Sequence, residues 1–353
     1  MINKLKYYRS SPDSFDENPV INLITKYLRD NDWYPISFKY WRIMELYKNR
    51  KRCNIIQIHW PEAFWRSQNL FLCYLKALYF IYLVYVSKII GYKWVFSAHN
   101  VIPHYKVKSV FLERVMRCFI LRNFDLVIGL AYNTKNDLEL AYGTSGKKYV
   151  LALHGTYEDS YPILKNKKEF RDELGIPEDA KIILFINTLK RDNRGMDELI
   201  NEWANIQDYG NVHLLMTGIK PFNYDNLIKD SHFHFIPGYI ENDKMGSLFN
   251  AADFMFLNYE NITTSGMYFL SVTFNLPIIA PNLPFFKLHA SDKTALFFDY
   301  NYPLSTQLRS IIDKINNGWK PSIGEFQSLV NKYHTKNSVK VISNAFNELI
   351  LLK

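Results

Sequence analysis

Short apolar runs separated by helix-length amphipathic stretches recur along the whole chain. In the first half, Ile2–Tyr8, Asn54–Ile58, Lys93–Ser97, Leu126–Leu130 and Tyr149–Leu153 have the length and apolar, β-branched or aromatic character of buried strands. Asn18-Pro19 opens a helix that runs through Leu28 with its apolar positions at helical spacing. A second series follows: Lys181–Ile186, His213–Thr217, Phe233–Pro237, Phe254–Leu257 and Pro277–Ala280 read as strands, and Ile323–Leu352 reads as helical. Strands that alternate with helices predict parallel sheets wound with right-handed crossovers. No internal repeat or low-complexity tract interrupts the alternation.

A chain of 353 residues is too long for one ordinary core. Residues 154–180 are polar and broken by Pro162, Gly175 and Pro177, which suits a hinge. The expected division is therefore a first α/β domain over 1–160 and a second over 161–335, with 336–353 forming a helix that packs back on the first. Leu70–Ile90 stands apart, almost wholly apolar and broken only by Lys76, Ser87 and Lys88. A spanning helix needs about 20 apolar residues, whereas the longest unbroken run, Ala77–Val86, is half that. Its tyrosines and lysines suit a helix on a sheet, or at an interface, better than one crossing a bilayer.

Charge changes the picture more than composition does. Residues 1–165 hold 24 Lys and Arg against 13 Asp and Glu, a net of +11, while the remainder carries 19 against 21. All the excess positive charge sits on the first half, so that half is expected to face something anionic: a membrane surface, a lipid phosphate or a nucleic acid. Cys53, Cys73 and Cys118 show no CxxC spacing and read as ordinary thiols of a reducing compartment. Residues Met1–Ser10 carry Lys and Arg with no apolar stretch after them, so no signal peptide is visible and a cytoplasmic protein is expected.

Parallel α/β sheets bind ligands beyond the carboxyl ends of their strands, and the loops there are rich in polar groups. After Leu184–Asn187 come Arg191 and Arg194, just ahead of a helix from Met196. Guanidinium groups beside a helix N-terminus can clamp a pyrophosphate bidentately, and Asn187 suits the turn at the strand end. After Phe254–Leu257, Thr263-Thr264-Ser265-Gly266 precede a helix from Met267, which makes a nest of backbone N–H groups for an anion; Ser265 serves equally well as a helix cap. In the first half, His99, Asn100 and His104 follow one strand, His59 and Trp60 a second, and His154 a third. Three strand ends that each carry a histidine predict a convergent polar site. Asp30-Asn31-Asp32 has the DxD pattern of metal-dependent transferases, but it follows a helix and reads as solvated polarity, so no metal site is expected.

Pro237-Gly238-Tyr239-Ile240, Leu248-Phe249-Asn250-Ala251-Ala252-Asp253, Thr264-Ser265-Gly266 and Asn275-Leu276-Pro277-Ile278-Ile279 together resemble the donor half of GT-B glycosyltransferases of the group 1 type, which make bacterial surface polysaccharides. Arg191–Leu199 is similar to that family's basic loop, with Arg194 in its Lys position, and Trp94–Asn100 resembles its strand ending in His-Asn. Leu126–Ala131 and Leu153-His154-Gly155 match two further strand ends. The resemblance runs in order over nearly the whole chain. It implies two Rossmann-like domains with parallel sheets facing across a cleft, and a hexosyltransferase that needs no cofactor besides its nucleotide-sugar substrate, UDP- or GDP-linked. By this resemblance Arg191 and Arg194 neutralise the diphosphate, Thr264, Ser265, Gly266 and Met267 donate to it, and Tyr239 with Ile240 lie near the base. His99 is the preferred contact to the sugar, with His59, Asn100, His104 and His154 toward sugar or acceptor. If the reaction inverts configuration, Asp13, Asp16 or Glu17 is the candidate general base. The acceptor implied is a glycan or lipid-linked intermediate at the inner face of the cell membrane.

One departure is plain: the pair of glutamates eight positions apart that many members carry is missing from the Thr263–Leu270 region, and Glu260 fits neither slot. A non-catalytic relative with the same fold is one alternative reading. A basic nucleic-acid-binding protein is another, although the histidine and Thr-Ser-Gly loops would then have no purpose, and no nucleic-acid partner is expected.

Overall fold

The computed structural model describes residues 5–11, 19–37, 40–101, 108–187, 196–206, 208–221 and 224–351. The chain forms two compact units, Met1–Gly155 with Tyr333–Lys353, and Thr156–Lys332. Each is α/β.

The first unit runs β1 (Lys6–Ser11), α1 (Pro19–Arg29), β2 (Trp33–Pro35), α2 (Ile43–Asn49), β3 (Cys53–Ile58), a short 3₁₀ turn at Pro61–Phe64, α3 (Leu70–Ile89), β4 (Lys93–Ala98), α4 (Val110–Asn123), β5 (Leu126–Gly129), α5 (Thr134–Tyr142) and β6 (Tyr149–Leu151). All six strands are parallel, in the order β2-β1-β3-β4-β5-β6. A sheet covered on both faces buries every residue of its central strands, and Ile55, Ile56, Ile58, Trp94, Val95, Phe96 and Leu126–Ile128 are all inaccessible. The first strand starts later than the expected Ile2–Tyr8, and β2 was not foreseen because three residues ending in proline carry no period. Asp30–Asp32 forms the turn from α1 into β2, with Asp32 in the left-handed region at φ 63°; this short polar residue tolerates that conformation.

Local caps fix where the helices start. Asn69 accepts the amides of Phe71 and Leu72 at the head of α3, and the Ser109 hydroxyl accepts Leu112 N at 3.1 Å at the head of α4. The stretch read as continuous helix over Ile323–Leu352 is two helices, α13 (Ile323–Tyr333) and α14 (Thr335–Leu351), broken at His334. Helix α14 lies against α1 and belongs to the first unit. Its Phe346 ring packs 5.2 Å from Trp33 and 5.7 Å from Tyr8, and Asn347 accepts from Lys6 Nζ at 2.8 Å.

The second unit runs α6 (Lys167–Glu173), β7 (Lys181–Asn187), α7 (Met196–Ala204), β8 (Val212–Gly218), α8 (Tyr224–Leu227), β9 (Phe233–Pro237), α9 (Asn242–Ala251), β10 (Phe254–Phe256), α10 (Gly266–Thr273), β11 (Ile278–Pro281), α11 (Pro284–His289), β12 (Ala295–Phe298), α12 (Leu304–Asn316) and then α13. Its six strands are again parallel, in the order β12-β11-β10-β7-β8-β9. The segment expected as a hinge contains α6, which opens with a reciprocal Asn166–Glu169 capping box. The edge strand β12 went unpredicted.

A buried arginine joins α6 to this sheet. The Arg171 guanidinium donates to Ala251 O from Nε at 3.0 Å, to Glu178 O and Ala180 O from Nη1, and to Asp253 Oδ2 at 2.6 Å from Nη2. The same Asp253 oxygen accepts Ile182 N at 2.8 Å. One side chain thus ties the ends of α9, β7 and β10, with every acceptor satisfied. At the same, amino ends of the sheet, on β8 and β9, His213 Nδ1 lies 3.0 Å from His234 Nε2, and His232 is packed against His213.

Two outcomes follow from these contacts. Arg171→Met removes the buried charge and takes its donors from Ala251 O, Ala180 O, Glu178 O and Asp253 Oδ2, so urea denaturation followed by tryptophan fluorescence is expected to show a loss of about 3–5 kcal/mol; a loss below about 1 kcal/mol would mean the network is redundant. Burial, aided by His232 and His234, pushes His213 down to about 4 from its ordinary 6.5. A histidine depressed in the folded state contributes its full stability above pH 6.5, and that contribution fades as the pH falls toward 4 because only the unfolded chain takes up the proton. The urea midpoint is expected to drop between pH 7 and pH 5, by up to about 1.4 kcal/mol per pH unit for this group, and His213→Gln is expected to flatten the slope.

Candidate active site

In an open parallel sheet the crevice for a ligand lies where the strand order reverses, beyond the carboxyl ends. In the first unit that point is between β1 and β3. Strand β3, which borders that point, carries His59 and Trp60 at its end; its neighbour β4 carries His99 and Asn100, and the chain beyond the edge strand β6 carries His154. The structure brings the three histidines together. His59 Nδ1 lies 2.9 Å from His99 Nε2, and the Trp60 ring stacks on His99 at 4.5 Å and 23°. His154 Nδ1 sits 2.8 Å from Gly155 O; a carbonyl only accepts, so Nδ1 holds the proton and Nε2 is the acceptor nitrogen.

All three rings are buried. Burial pushes His59 down to about 3 and holds His99 well below its ordinary 6.5, with His59 and His154 adding to the effect on His99. His59 and His99 are therefore neutral at pH 7. Neutral imidazoles pair one donor with one acceptor, a set that matches hydroxyl groups rather than anions. Asn100 is half-buried at the mouth of β4. His104 lies outside the described residues, as do Asp13, Asp16 and Glu17.

In the second unit the order reverses between β7 and β10, so the carboxyl ends of these two strands flank the crevice. Asn187 closes β7; the loop beyond it, with Arg191 and Arg194, lies outside the described residues. Gly218 closes β8 at φ 110°, and a Cβ there would stand 1.9 Å from Asn187 O, so only glycine fits between the two strand ends. The next strand end is tied to the same glycine, since Gly238 N donates to Gly218 O at 2.8 Å. Beyond it the Tyr239 ring is exposed and Ile240 is buried.

The β10 loop is the more elaborate wall. Ser265 caps α10, its hydroxyl accepting Tyr268 N at 3.2 Å and lying 3.1 Å from Tyr259 Oη. The amides of Gly266 and Met267 are the first-turn donors that α10 itself does not use. A Cβ on Gly266 would come within 2.6 Å of Tyr157 Oη, so glycine admits that tyrosine to the helix end. The Thr264 hydroxyl is buried with no hydrogen-bond partner among the described residues. Asn258 Oδ1 accepts from Tyr300 Oη at 2.5 Å, which fixes the amide at the strand exit. Amides, a helix dipole and a buried hydroxyl at one point form a site for an anion. Among the described residues, no group of three or more His, Cys, Asp and Glu side chains is placed to hold a metal ion.

Tyr157, Tyr259, Asn258 and Tyr300 were missed by sequence reasoning. Asn258-Tyr259 follows a predicted strand end and was within reach. Tyr300 follows the unpredicted β12, and nothing in the sequence ties Tyr157 to a helix that begins more than 100 residues later.

No family model and no curated protein sequence matches this chain. Solved structures do. Sucrose-phosphate synthase from Thermosynechococcus elongatus superimposes with a TM-score of 0.69 at 13% identity, over 99% of this chain and 100% of that one. HepE from Anabaena, in complex with UDP-glucose, gives a TM-score of 0.69 at 11% identity over 98% of this chain and 100% of its own. WaaG, a glycosyltransferase involved in lipopolysaccharide biosynthesis, gives 0.64 at 13% identity over 96% of this chain and 99% of its own. With two parallel six-stranded sheets, each reversing order at the strands that carry its polar loops, the chain has the GT-B glycosyltransferase fold.

Proposed function

We propose that the chain transfers a sugar from a nucleoside diphosphate donor to a glycan or lipid-linked acceptor, with the donor held by the second unit. The observation that carries this reading is the anion site at the head of α10: capped by Ser265, opened by Gly266 and lined by the buried Thr264 hydroxyl, at the reversal point of the sheet. Departure of a diphosphate leaves concentrated negative charge, and fixed donors aimed at it stabilise the transition state without reorganising. The family resemblance assigns the countercharge to Arg191 and Arg194, which follow Asn187 in the sequence. The neutral His59 and His99 of the first unit suit hydroxyl partners, which are what a sugar or glycan acceptor presents. HepE binds UDP-glucose on the same fold, so uridine diphosphate is the first base to test.

A non-catalytic relative is the second reading, and one observation favours it: no carboxylate stands between Thr263 and Leu270. Thermal unfolding in UDP, GDP, ADP, CMP and dTDP separates the two. One diphosphate is expected to raise the midpoint by about 5 °C or more near saturation, as binding at a hundredfold excess over Kd contributes about 2.7 kcal/mol. Arg194→Ala is expected to abolish that rise and to cut nucleotide release from the matching sugar donor by at least about 100-fold. No shift with any nucleotide, with or without Mg²⁺, would remove the transferase reading. A shift without turnover on any sugar would favour the non-catalytic one.

A further inference from the structure

Helix α3 is apolar on all sides, yet it is only partly a core helix. Cys73, Ala77, Phe80, Leu83, Val84 and Ser87 form its inward stripe, anchored where Trp94 Nε1 donates to Ser87 Oγ at 2.8 Å. Only about a third of its apolar stretch is buried, 33% of an 18-residue window. The outward face keeps large side chains in the open: Phe71 is 68% exposed, Leu78 62% and Tyr82 52%. By length and composition α3 could cross a bilayer, but its inward stripe is part of the first unit's core, so the helix lies along that unit's surface.

The neighbouring helix extends this surface. At their amino ends Tyr74 Oη is 3.4 Å from Ser109 Oγ, and at their other ends the Tyr85 and Phe119 rings are 5.6 Å apart. Helices α3 and α4 therefore run parallel, side by side, for most of their length. Helix α4 adds Val110 and Phe111, 75% and 71% exposed. A shallow groove of ≈ 490 Å³ lies beside them, its apolar floor flanked by Arg114 and Arg122. An apolar face this wide is unusual on a monomeric surface and marks an interaction site.

The charges on the face identify the partner. Helix α3 contains no acidic residue, and α4 contains one, Glu113, whose carboxylate is turned to Trp65 Nε1 at 2.8 Å. Lys76, Arg114 and Arg122 are exposed there, on the half of the chain that carries the whole net positive charge. The tyrosines anchor their hydroxyls on protein atoms, as Tyr79 Oη does on Trp41 O at 2.8 Å, while their rings stay exposed. Apolar and aromatic side chains bordered by exposed cations match the boundary between acyl chains and anionic headgroups. A second copy matches poorly, because a two-fold contact would set these cations against their own kind.

We infer that the exposed face of α3 and α4 docks the protein on an anionic lipid bilayer, with Phe71, Leu78, Tyr82 and Phe111 entering the acyl boundary and Arg114 and Arg122 paired with lipid phosphates. The inference uses no part of the donor site, so it stands or falls separately from the transferase reading.

The test is co-sedimentation of the full chain with vesicles at 0.15 M salt. Binding to 1:1 phosphatidylcholine–phosphatidylglycerol vesicles is expected to be at least ten times stronger than to phosphatidylcholine alone. Phe71→Ser with Leu78→Ser, and separately Arg114→Glu with Arg122→Glu, are each expected to weaken it at least ten-fold. All four positions are exposed, so the thermal midpoint should stay near that of the parent, and a variant that fails this check is replaced by single substitutions at the same sites. The inference is overturned if the parent chain stays in the supernatant, if it binds both lipids equally, or if both double variants bind as the parent does. It is also overturned if light scattering shows a dimer that Phe71→Ser with Leu78→Ser dissolves, since a second copy would then cover the face.

Discussion

Neighbouring strands in both sheets are parallel, and a parallel pair cannot be closed by a tight turn. Each strand must hand the chain to a crossover that returns it to the far edge, and in this protein the crossovers are mostly helices. The loops that leave the carboxyl ends therefore run into helix N-termini, whose unpaired amides and positive dipole ends collect along one edge of each sheet. Where the strand order reverses, two such loops diverge and leave room for a ligand. The histidine cluster of the first unit and the Thr-Ser-Gly loop of the second both stand at such points, so their position follows from connectivity before any side chain is considered.

The chemistry of the two edges differs for reasons that burial explains. Around His59 and His99 there is no countercharge within the cluster, so removal from water leaves the rings neutral. Around Ser265 the polar groups are dipoles and hydroxyls arranged on a helix end, and what they lack is an anion. One edge is ready for uncharged polar matter and the other for negative charge.

Much of this was legible in the sequence. Central strands such as Asn54–Ile58 and Lys93–Ser97 are read within a residue or two because a strand buried on both faces must be apolar throughout. The edge strands β2 and β12 were lost for the converse reason: at three and four residues, they leave no pattern for their short pairing to impose. The strand-end positions of His59, His99, His154 and Ser265 were legible because the strands before them were, and loops after parallel strands are where ligands bind. Tyr157 was not, since its place on Gly266 depends on a tertiary contact that only the fold creates. Helix α3 shows a different limit. Composition reports that a face is apolar but not what it touches, and α3 is as apolar outside as inside.

The return of the chain to its first unit has a consequence for the order in which the molecule is made. Tyr8 and Trp33 complete their packing on Phe346, so the earliest strands wait for a helix encoded by residues 335–351. The unit Thr156–Lys332 has all its own strands and core in hand sooner. During synthesis the second unit can close while the first still holds an uncovered flank beside α1. The segment in the middle of the chain then matures first, and the protein's beginning is finished by its end.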